Sequence, residues 1–167
     1  MLVLGIDPGI AITGYGLIQT GERSDYQCID YGVIRTESGI PDPDRLAFLY
    51  KELKDLLRQY QVDSSAVEKL FFQKNVRTAF SVGQARGVTL LALAQSKLPI
   101  SEYTPNEIKQ TVCGYGNAGK AQVQRMVQAL LHLADLPKPD DAADALAVAI
   151  CHINHQSFNN FVQKAET

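Results

Sequence analysis

Four acidic residues occupy positions where carboxylates are uncommon. Asp7 follows the almost continuously apolar segment 2–6, which is typical of a strand buried on both faces. Glu68 ends a second short apolar strand. Asp141 and Asp144 are three residues apart in a segment that is apolar nearly all round, so on a helix they share one face. An ionised carboxylate in such surroundings is costly unless a positive charge offsets it.

A divalent cation would offset that cost. Four carboxylates gathered without a paired Arg or Lys would raise one another's pKa. Hard oxygen ligands suit Mg²⁺. Two such ions, about 3.5–4 Å apart, can hold the attacking and leaving oxygens of a phosphodiester. The four acids therefore predict a site for two Mg²⁺ or Mn²⁺ ions and the hydrolysis of a phosphodiester.

Each acid taken alone also has a structural interpretation. Asp7, before Pro8 and Gly9, could initiate a turn. Asp140 or Asp141 could cap the N-terminus of a helix. Glu68 could pair with a nearby lysine. The metal hypothesis is favoured because all four acids occur together and Asp144 lies deep in an apolar helix.

The charge is unevenly distributed along the 167 residues. The net charge is -2, but residues 69–125 carry eight basic and two acidic residues, so this block is at +6 and the remainder at -8. This asymmetry predicts a basic face for a polyanion, and ordinary solvated lysines are the alternative. The sequence shows no signal peptide and no membrane-spanning run, and its three scattered cysteines suit a reducing compartment. We therefore expect a cytoplasmic protein without a membrane partner.

The hydrophobic periodicity predicts the element order β-β-β-α-β-α-β-α-α-α. This order is typical of an α/β fold with a mixed sheet, in which strand 2 runs antiparallel to strand 1 and later strands return in parallel through helices. Asp42 is expected to cap the first helix, with Pro43 at its first helical position. Thr104 to Glu107 has the spacing of a capping box. The last helix is expected over 140–153. We predict one domain, 1–155, and a frayed tail, 156–167.

Aromatic and basic residues adjoin Glu68. Phe71 and Phe72 lie among Lys69, Lys74 and Arg77. Exposed aromatic rings stack on unpaired bases, so this segment is a candidate nucleic-acid contact. The alternative is that one phenylalanine belongs to the core and the other covers it.

The segment Gly114 to Lys120 imitates a phosphate-binding P-loop. Its eighth position is Ala121, where the Mg²⁺-binding Ser or Thr should stand, and the preceding segment is helical rather than a strand. A true P-loop is therefore disfavoured. Lys120 can still meet a phosphate, because it begins a helix.

Five blocks in fixed order give the chain a family resemblance. They are Gly5–Gly9 with Thr13–Gly16, Val67–Phe71, Gly83–Gly87, Lys109–Val112 and Asp141–Ala147. Along essentially its whole length the chain resembles the RuvC family of bacterial Holliday-junction resolvases. The resemblance implies an RNase H-like fold with a five-stranded mixed sheet flanked by helices. It also implies a homodimer that nicks two opposing strands of four-way junction DNA and works with the RuvA–RuvB branch-migration complex.

The resemblance also assigns residues. The family's metal ligands fall on Asp7, Glu68, Asp141 and Asp144, its base-stacking aromatic on Phe71, and its later lysines on Lys109 and Lys120. The helix with Gly83 and Gly87 would lie near the dimer interface. The expected products are a 5′-phosphate and a 3′-hydroxyl. The candidate phosphate contacts are Lys69, Lys74, Arg77, Lys109, Lys120 and Arg125.

Two other functions remain open at this point. An RNase H-like scaffold could bind structured nucleic acid without cutting it, or a nuclease of this fold could act on RNA or on RNA–DNA hybrids. Cleavage of junction, linear duplex and hybrid substrates distinguishes these possibilities.

Overall fold

The computed structural model describes residues 1–21, 25–69 and 76–165. Its elements follow the predicted order. The strands are β1 (Leu2–Asp7), β2 (Ile12–Thr20), β3 (Tyr26–Arg35), β4 (Ser64–Glu68) and β5 (Ile100–Tyr103). The helices are α1 (Asp42–Gln59), α2 (Val76–Gln95), α3 (Pro105–Cys113), α4 (Lys120–Leu130) and α5 (Asp140–Ala165).

The strands form one mixed sheet in the order β3-β2-β1-β4-β5. β1 pairs antiparallel with β2, and β2 with β3, whereas β1–β4 and β4–β5 are parallel pairs. Short connections permit the antiparallel pairs, and crossover helices are needed for the parallel ones. The predicted mixed sheet and the antiparallel second strand are confirmed.

Helices cover both faces of the sheet. Residues of α1 and α2 pack with Leu4, Ile6 and Leu17 on one face. Residues of α3, α4 and α5 pack with Val3 and Ile18 on the other. Alternate residues of β1 thus enter different cores, which explains why this strand is apolar at nearly every position.

Glycines let α5 lie unusually close to the sheet. A Cβ added to Gly5 would overlap the carbonyl oxygen of Ala145, and one added to Gly14 would overlap that of Asp141. Gly14 is the register partner of Asp7 on the neighbouring strand. The close approach therefore brings the first turns of α5 to the strand end that carries Asp7.

Two helix boundaries differ from the prediction. α1 begins at Asp42, but its N-cap is Pro41 and no side chain caps it, so the assignment of Asp42 as the cap was wrong. α5 continues to Ala165, so the frayed tail over 156–167 was also wrong for the residues that the structure describes. The segment after Ile153 contains neither Gly nor Pro, and nothing local ends the helix. The exposed Phe158 and Phe161 lie on this extension.

Other local predictions can be compared directly. The capping box is present: the Thr104 hydroxyl accepts from the Glu107 N–H, and the Glu107 carboxylate accepts from the Thr104 N–H. Gly21 and the polar run 22–25 predict a hairpin turn between β2 and β3, and residues 22–24 lie outside the described residues. Within the described parts of the chain, no helix combines the length and the apolar character needed to cross a membrane.

Candidate active site

Asp7 and Glu68 lie side by side because they end adjacent parallel strands. β1 pairs with β4 in a register that matches Ile6 with Val67. The next residue on each strand is an acid, and both acids therefore emerge at the carboxyl edge of the sheet. Parallel pairing explains how residues 61 positions apart in the sequence come into contact.

Asp144 joins them from α5, and the three acids share one cavity. The cavity has a volume of about 290 Å³. Asp7, Glu68 and Asp144 supply its acidic wall, and Lys109 and Lys120 supply basic groups. Its remaining lining residues are Pro105, Ile108 and Val123. The structure thus brings together three of the four predicted acids and two of the predicted lysines.

The three acids destabilise one another's ionised forms. Burial raises the pKa of Asp7 well above its usual range, and the charges of Glu68 and Asp144 raise it further. Burial also raises the pKa of Glu68, although its hydrogen bond with Asp7 acts in the opposite direction. The pKa of Asp144 is raised mainly by burial, which outweighs the effect of Lys120. We call Asp7, Glu68 and Asp144 the carboxylate cluster.

Lys120 partly neutralises this cluster. Its Nζ lies 3.1 Å from Asp140 Oδ2 and 3.4 Å from Asp144 Oδ2. Burial lowers the pKa of Lys120, but the hydrogen bond to Asp140 and the charge of Asp144 outweigh burial, and the pKa is raised overall. The expectation that the acids have no paired basic residue was therefore wrong for Asp144. This pair was not predicted, because 24 positions separate its members along the chain.

Asp141 is placed differently from the other three predicted acids. It is half-buried and does not line the cavity, and its backbone carbonyl packs over Gly14. Its charge still raises the pKa of Asp7 and of Asp144. Asp141 therefore contributes to the electrostatics of the cavity from its edge.

The side chains of the carboxylate cluster have the right chemistry to bind a divalent cation, but their present spacing is too wide for all three to hold one ion. Their donor atoms are carboxylate oxygens, the ligand type that Mg²⁺ prefers. In the described part of the chain, no three His, Cys, Asp or Glu side chains are grouped closely enough to hold one ion. A hydrogen bond joins Asp7 to Glu68, and the Lys120 ammonium is drawn to Asp144. These contacts satisfy the carboxylates in ways that a bound cation would replace.

The other predicted DNA contacts differ in what the structure describes of them. Lys109 lines the cavity and lowers the pKa of Glu68. Lys69 and Arg125 are exposed. Phe71 and Lys74 lie outside the described residues, and of Arg77 only its place at the start of α2 is described. Two features were not predicted from the sequence. One is the pairing of Asp140 with Lys120, and the other is the apolar wall formed by Ile108 and Val123.

Comparison with known families gives a match over most of the chain. A family model described as crossover junction endodeoxyribonuclease RuvC matches residues 3–152. A protein of that name from Desulforamulus reducens is 56% identical over 158 residues, which are 94% of this chain and 96% of the relative. Another from Halothermothrix orenii is 55% identical over 159 residues, covering 95% and 96% of the two chains.

Solved structures show the same likeness. A Thermus thermophilus RuvC structure superimposes with a TM-score of 0.87 at 31% identity, covering 95% of this chain and 97% of that one. T. thermophilus RuvC in complex with a Holliday junction substrate gives 0.86 at 29% identity, covering 95% and 96%. The yeast mitochondrial Holliday junction resolvase, at 17% identity and a TM-score of 0.67, shares the fold. These likenesses confirm the predicted RNase H-like fold with its five-stranded mixed sheet.

Proposed function

The chain belongs to the RuvC family of crossover junction endodeoxyribonucleases, and from this premise we propose that it resolves four-way (Holliday) DNA junctions in homologous recombination and DNA repair. It does so by paired symmetric nicks that leave 5′-phosphate and 3′-hydroxyl ends. One nuclease domain carries the activity, and α5 continues beyond the boundary expected at residue 155. The observation that supports this most strongly is the carboxylate cluster at the carboxyl edge of β1 and β4, in a cavity shared with two lysines.

The carboxylate cluster and Asp141 are the residues that would hold two divalent ions, Mg²⁺ or Mn²⁺. When bound, such ions supply Lewis acidity that activates a water and stabilises a leaving 3′-oxygen. The raised pKa values of Asp7, Glu68 and Asp144 support this assignment, because each group would gain from a nearby positive charge. Strongly perturbed groups that converge in a cleft are typical of functional sites.

Lysines at the cavity would receive the DNA backbone. Lys109 and Lys120 both line the cavity, so either ammonium can meet a phosphate that enters it. Lys120 would exchange its contact with Asp144 for that phosphate. Lys69 and Arg125 are exposed and available to flanking phosphates. Lys74 and Arg77 are assigned as phosphate contacts because they lie in the basic segment around Phe71. Phe71 is assigned as the base-stacking aromatic on the same segment and on the family resemblance.

A homodimer is proposed from one exposed face of α2. Phe80 is 71% exposed and Leu91 51% exposed, and a Cβ on Gly87 would meet open space. These positions recur at helical spacing, so together they form an apolar stripe with a small residue at its centre. A second copy packed there by two-fold symmetry would match the symmetry of a four-way junction. Partnership with RuvA–RuvB and a cytoplasmic location are proposed on the family resemblance.

The dimer proposal is tested with Leu91→Glu. We expect this variant to sediment as a monomer and to lose paired cutting of the junction. Ile29→Glu is the matched control, because Ile29 is another exposed aliphatic residue, on β3. Paired cutting by a Leu91→Glu monomer would contradict the proposal.

The nuclease proposal is tested on three substrates with Mg²⁺: a synthetic four-way junction, a linear duplex and an RNA–DNA hybrid. We expect paired nicks in the junction alone, and DNA ligase should reseal them because the ends are a 5′-phosphate and a 3′-hydroxyl. Asp7→Asn should still bind the junction but cut it at least about a hundredfold more slowly, since loss of groups that merely orient metal ligands costs 10–100-fold. Asp55→Asn is the control, because Asp55 pairs with Lys51 and Arg58 on α1.

Other outcomes would point to the alternative functions. Binding of the junction by the wild type without any cleavage would indicate a nucleic-acid-binding scaffold. Preferred cleavage of the hybrid would indicate a nuclease for RNA. Normal cleavage by Asp7→Asn would contradict the role given to the carboxylate cluster.

A further inference from the structure

Three buried polar side chains link α5 to the sheet. The Tyr103 hydroxyl lies 2.9 Å from His152 Nδ1, and His152 Nε2 lies 3.2 Å from Ser64 Oγ. His152 and Ser64 are each 2% exposed and Tyr103 is 8% exposed. We call Ser64, His152 and Tyr103 the His152 bridge. None of these residues lines the cavity.

Each member of the bridge belongs to an element that is tied to the carboxylate cluster. Ser64 begins β4, the strand that ends at Glu68. Tyr103 is the register partner of Glu68, and its carbonyl accepts a hydrogen bond of 2.7 Å from the N–H of Lys69. His152 follows Asp144 by eight residues on α5, which is about 12 Å along the helix axis. The bridge therefore joins the helix that carries Asp144 to the strands that hold Glu68.

Apolar packing and hydrogen bonds restrain α5 in different ways. Its buried side chains include many alanines between Asp141 and His152. They are Ala142, Ala143, Ala145, Ala147 and Ala149. Burial of apolar area is itself non-directional, and the close contact of α5 with Gly5 and Gly14 sets how near the helix lies to the sheet. Hydrogen bonds depend on distance and angle, and they therefore define one position.

The His152 bridge is suited to fixing the position of α5, because it carries no charge and both ring nitrogens have hydrogen-bond partners. Burial, together with the nearby His155, lowers the pKa of His152 to about 4, and the ring is neutral near pH 7. A neutral imidazole has one donor nitrogen and one acceptor nitrogen. The hydroxyls of Tyr103 and Ser64 can complete either arrangement, so both ring nitrogens are satisfied without a buried charge.

We propose that Ser64, His152 and Tyr103 are positioning residues of the nuclease site. By fixing α5 on β4 and β5, they set the separation between Asp144 and Glu68. This inference rests on the proposed metal function, and it predicts that the bridge controls how tightly the site binds divalent ions. The bridge touches neither the ions nor the DNA, and it acts through the two carboxylates.

The test compares two variants that each remove one tyrosine hydroxyl facing α5. Tyr103→Phe breaks the bridge, whereas Tyr26→Phe removes the contact of 2.7 Å between the Tyr26 hydroxyl and Asn154 Nδ2, on the β3 side of α5. Calorimetric titration with Mn²⁺ measures the affinity of the metal-free protein, and junction cleavage over the same Mn²⁺ range measures use of the metal. We expect Tyr103→Phe to bind Mn²⁺ about tenfold more weakly. Its cleavage should recover at high Mn²⁺, and Tyr26→Phe should resemble the wild type.

The outcomes separate this inference from the proposed function. Equal Mn²⁺ affinity in Tyr103→Phe and Tyr26→Phe would overturn the inference, even if both variants melt at lower temperature. If Tyr103→Phe does not fold, Ser64→Ala breaks the other end of the bridge, and the same expectation applies to it. Failure of the wild type to bind Mn²⁺ would overturn the metal proposal and this inference with it.

Discussion

Two polar clusters adjoin α5 and the β4–β5 strands, and they are built in opposite ways. The His152 bridge is neutral and hydrogen-bonded at both ring nitrogens. The carboxylate cluster collects three like charges in a cavity, and Lys120 is paired with only one of them, Asp144. A satisfied neutral network stabilises and specifies a structure, whereas gathered carboxylates oppose folding. The difference indicates which cluster holds the elements in place and which one is maintained for chemistry.

The two clusters should respond to acid with opposite signs. The folded protein holds the pKa of His152 below its ordinary value, so stability from the bridge is present at neutral pH and is lost as the pH falls. The folded protein holds the pKa of Asp7 above its ordinary value, so protonation of Asp7 favours the folded state. This contrast can be measured with single substitutions.

The largest expected change in stability comes from His152→Gln, which removes the titrating ring. Between about pH 6.5 and pH 4, the wild type should lose up to about 3 kcal/mol of unfolding free energy relative to this variant, because His152 must take up a proton in a buried site. Urea unfolding of both proteins at several pH values measures the difference. A constant difference across this range would show that His152 is not held neutral by the fold.

A somewhat smaller change is expected when α5 is pushed away from the sheet. Gly14→Ala places a methyl group against the carbonyl of Asp141. We expect a loss of about 1–3 kcal/mol, which corresponds to roughly 2–4 °C of Tm for each kcal/mol. The rate of junction cleavage should fall by more than the loss of folded protein accounts for, because α5 carries Asp144. In the control, Gly39→Ala, the added methyl meets open space, and an equal loss there would refute the packing argument.

The smallest expected effect concerns a single phosphate contact. Lys109→Ala should leave Tm nearly unchanged. It should reduce the slope of log affinity for junction DNA against log salt concentration by about 1, because Lys109 lines the cavity. Lys51→Ala, on α1, is the control and should leave the slope unchanged. An unaltered slope in Lys109→Ala would remove this lysine from the DNA contacts.

Features set by local pattern were predictable from the sequence. The strand and helix order and the capping box at Thr104 depend on periodicity and on residues close in the chain, and both agree with the structure. The antiparallel second strand followed from its short connection to β1. The helical extension beyond Ile153 was missed because its exposed phenylalanines and polar residues resemble a tail.

Features set by tertiary contact were not predictable in the same way. The positions of Asp7 and Glu68 at strand ends were visible in the sequence, because an acid that follows an apolar run is conspicuous. The bridge between Ser64 and His152 was not, since 88 residues separate them and neither residue type is unusual in its segment. The pairing of Lys120 with Asp144 was missed because 24 residues separate them and the contact depends on how α4 and α5 pack together.

Thermal unfolding of the wild type and Asp7→Asn near pH 7, with EDTA and then with Mg²⁺, tests the carboxylate cluster most directly. In EDTA the variant should melt at the higher temperature, because it removes a buried carboxylate whose pKa is raised. With Mg²⁺ at 100 times its Kd the wild type should gain about 2.7 kcal/mol, and the variant should gain far less. If the wild type is at least as stable as Asp7→Asn in EDTA and neither protein responds to Mg²⁺, the carboxylate cluster is not a metal site.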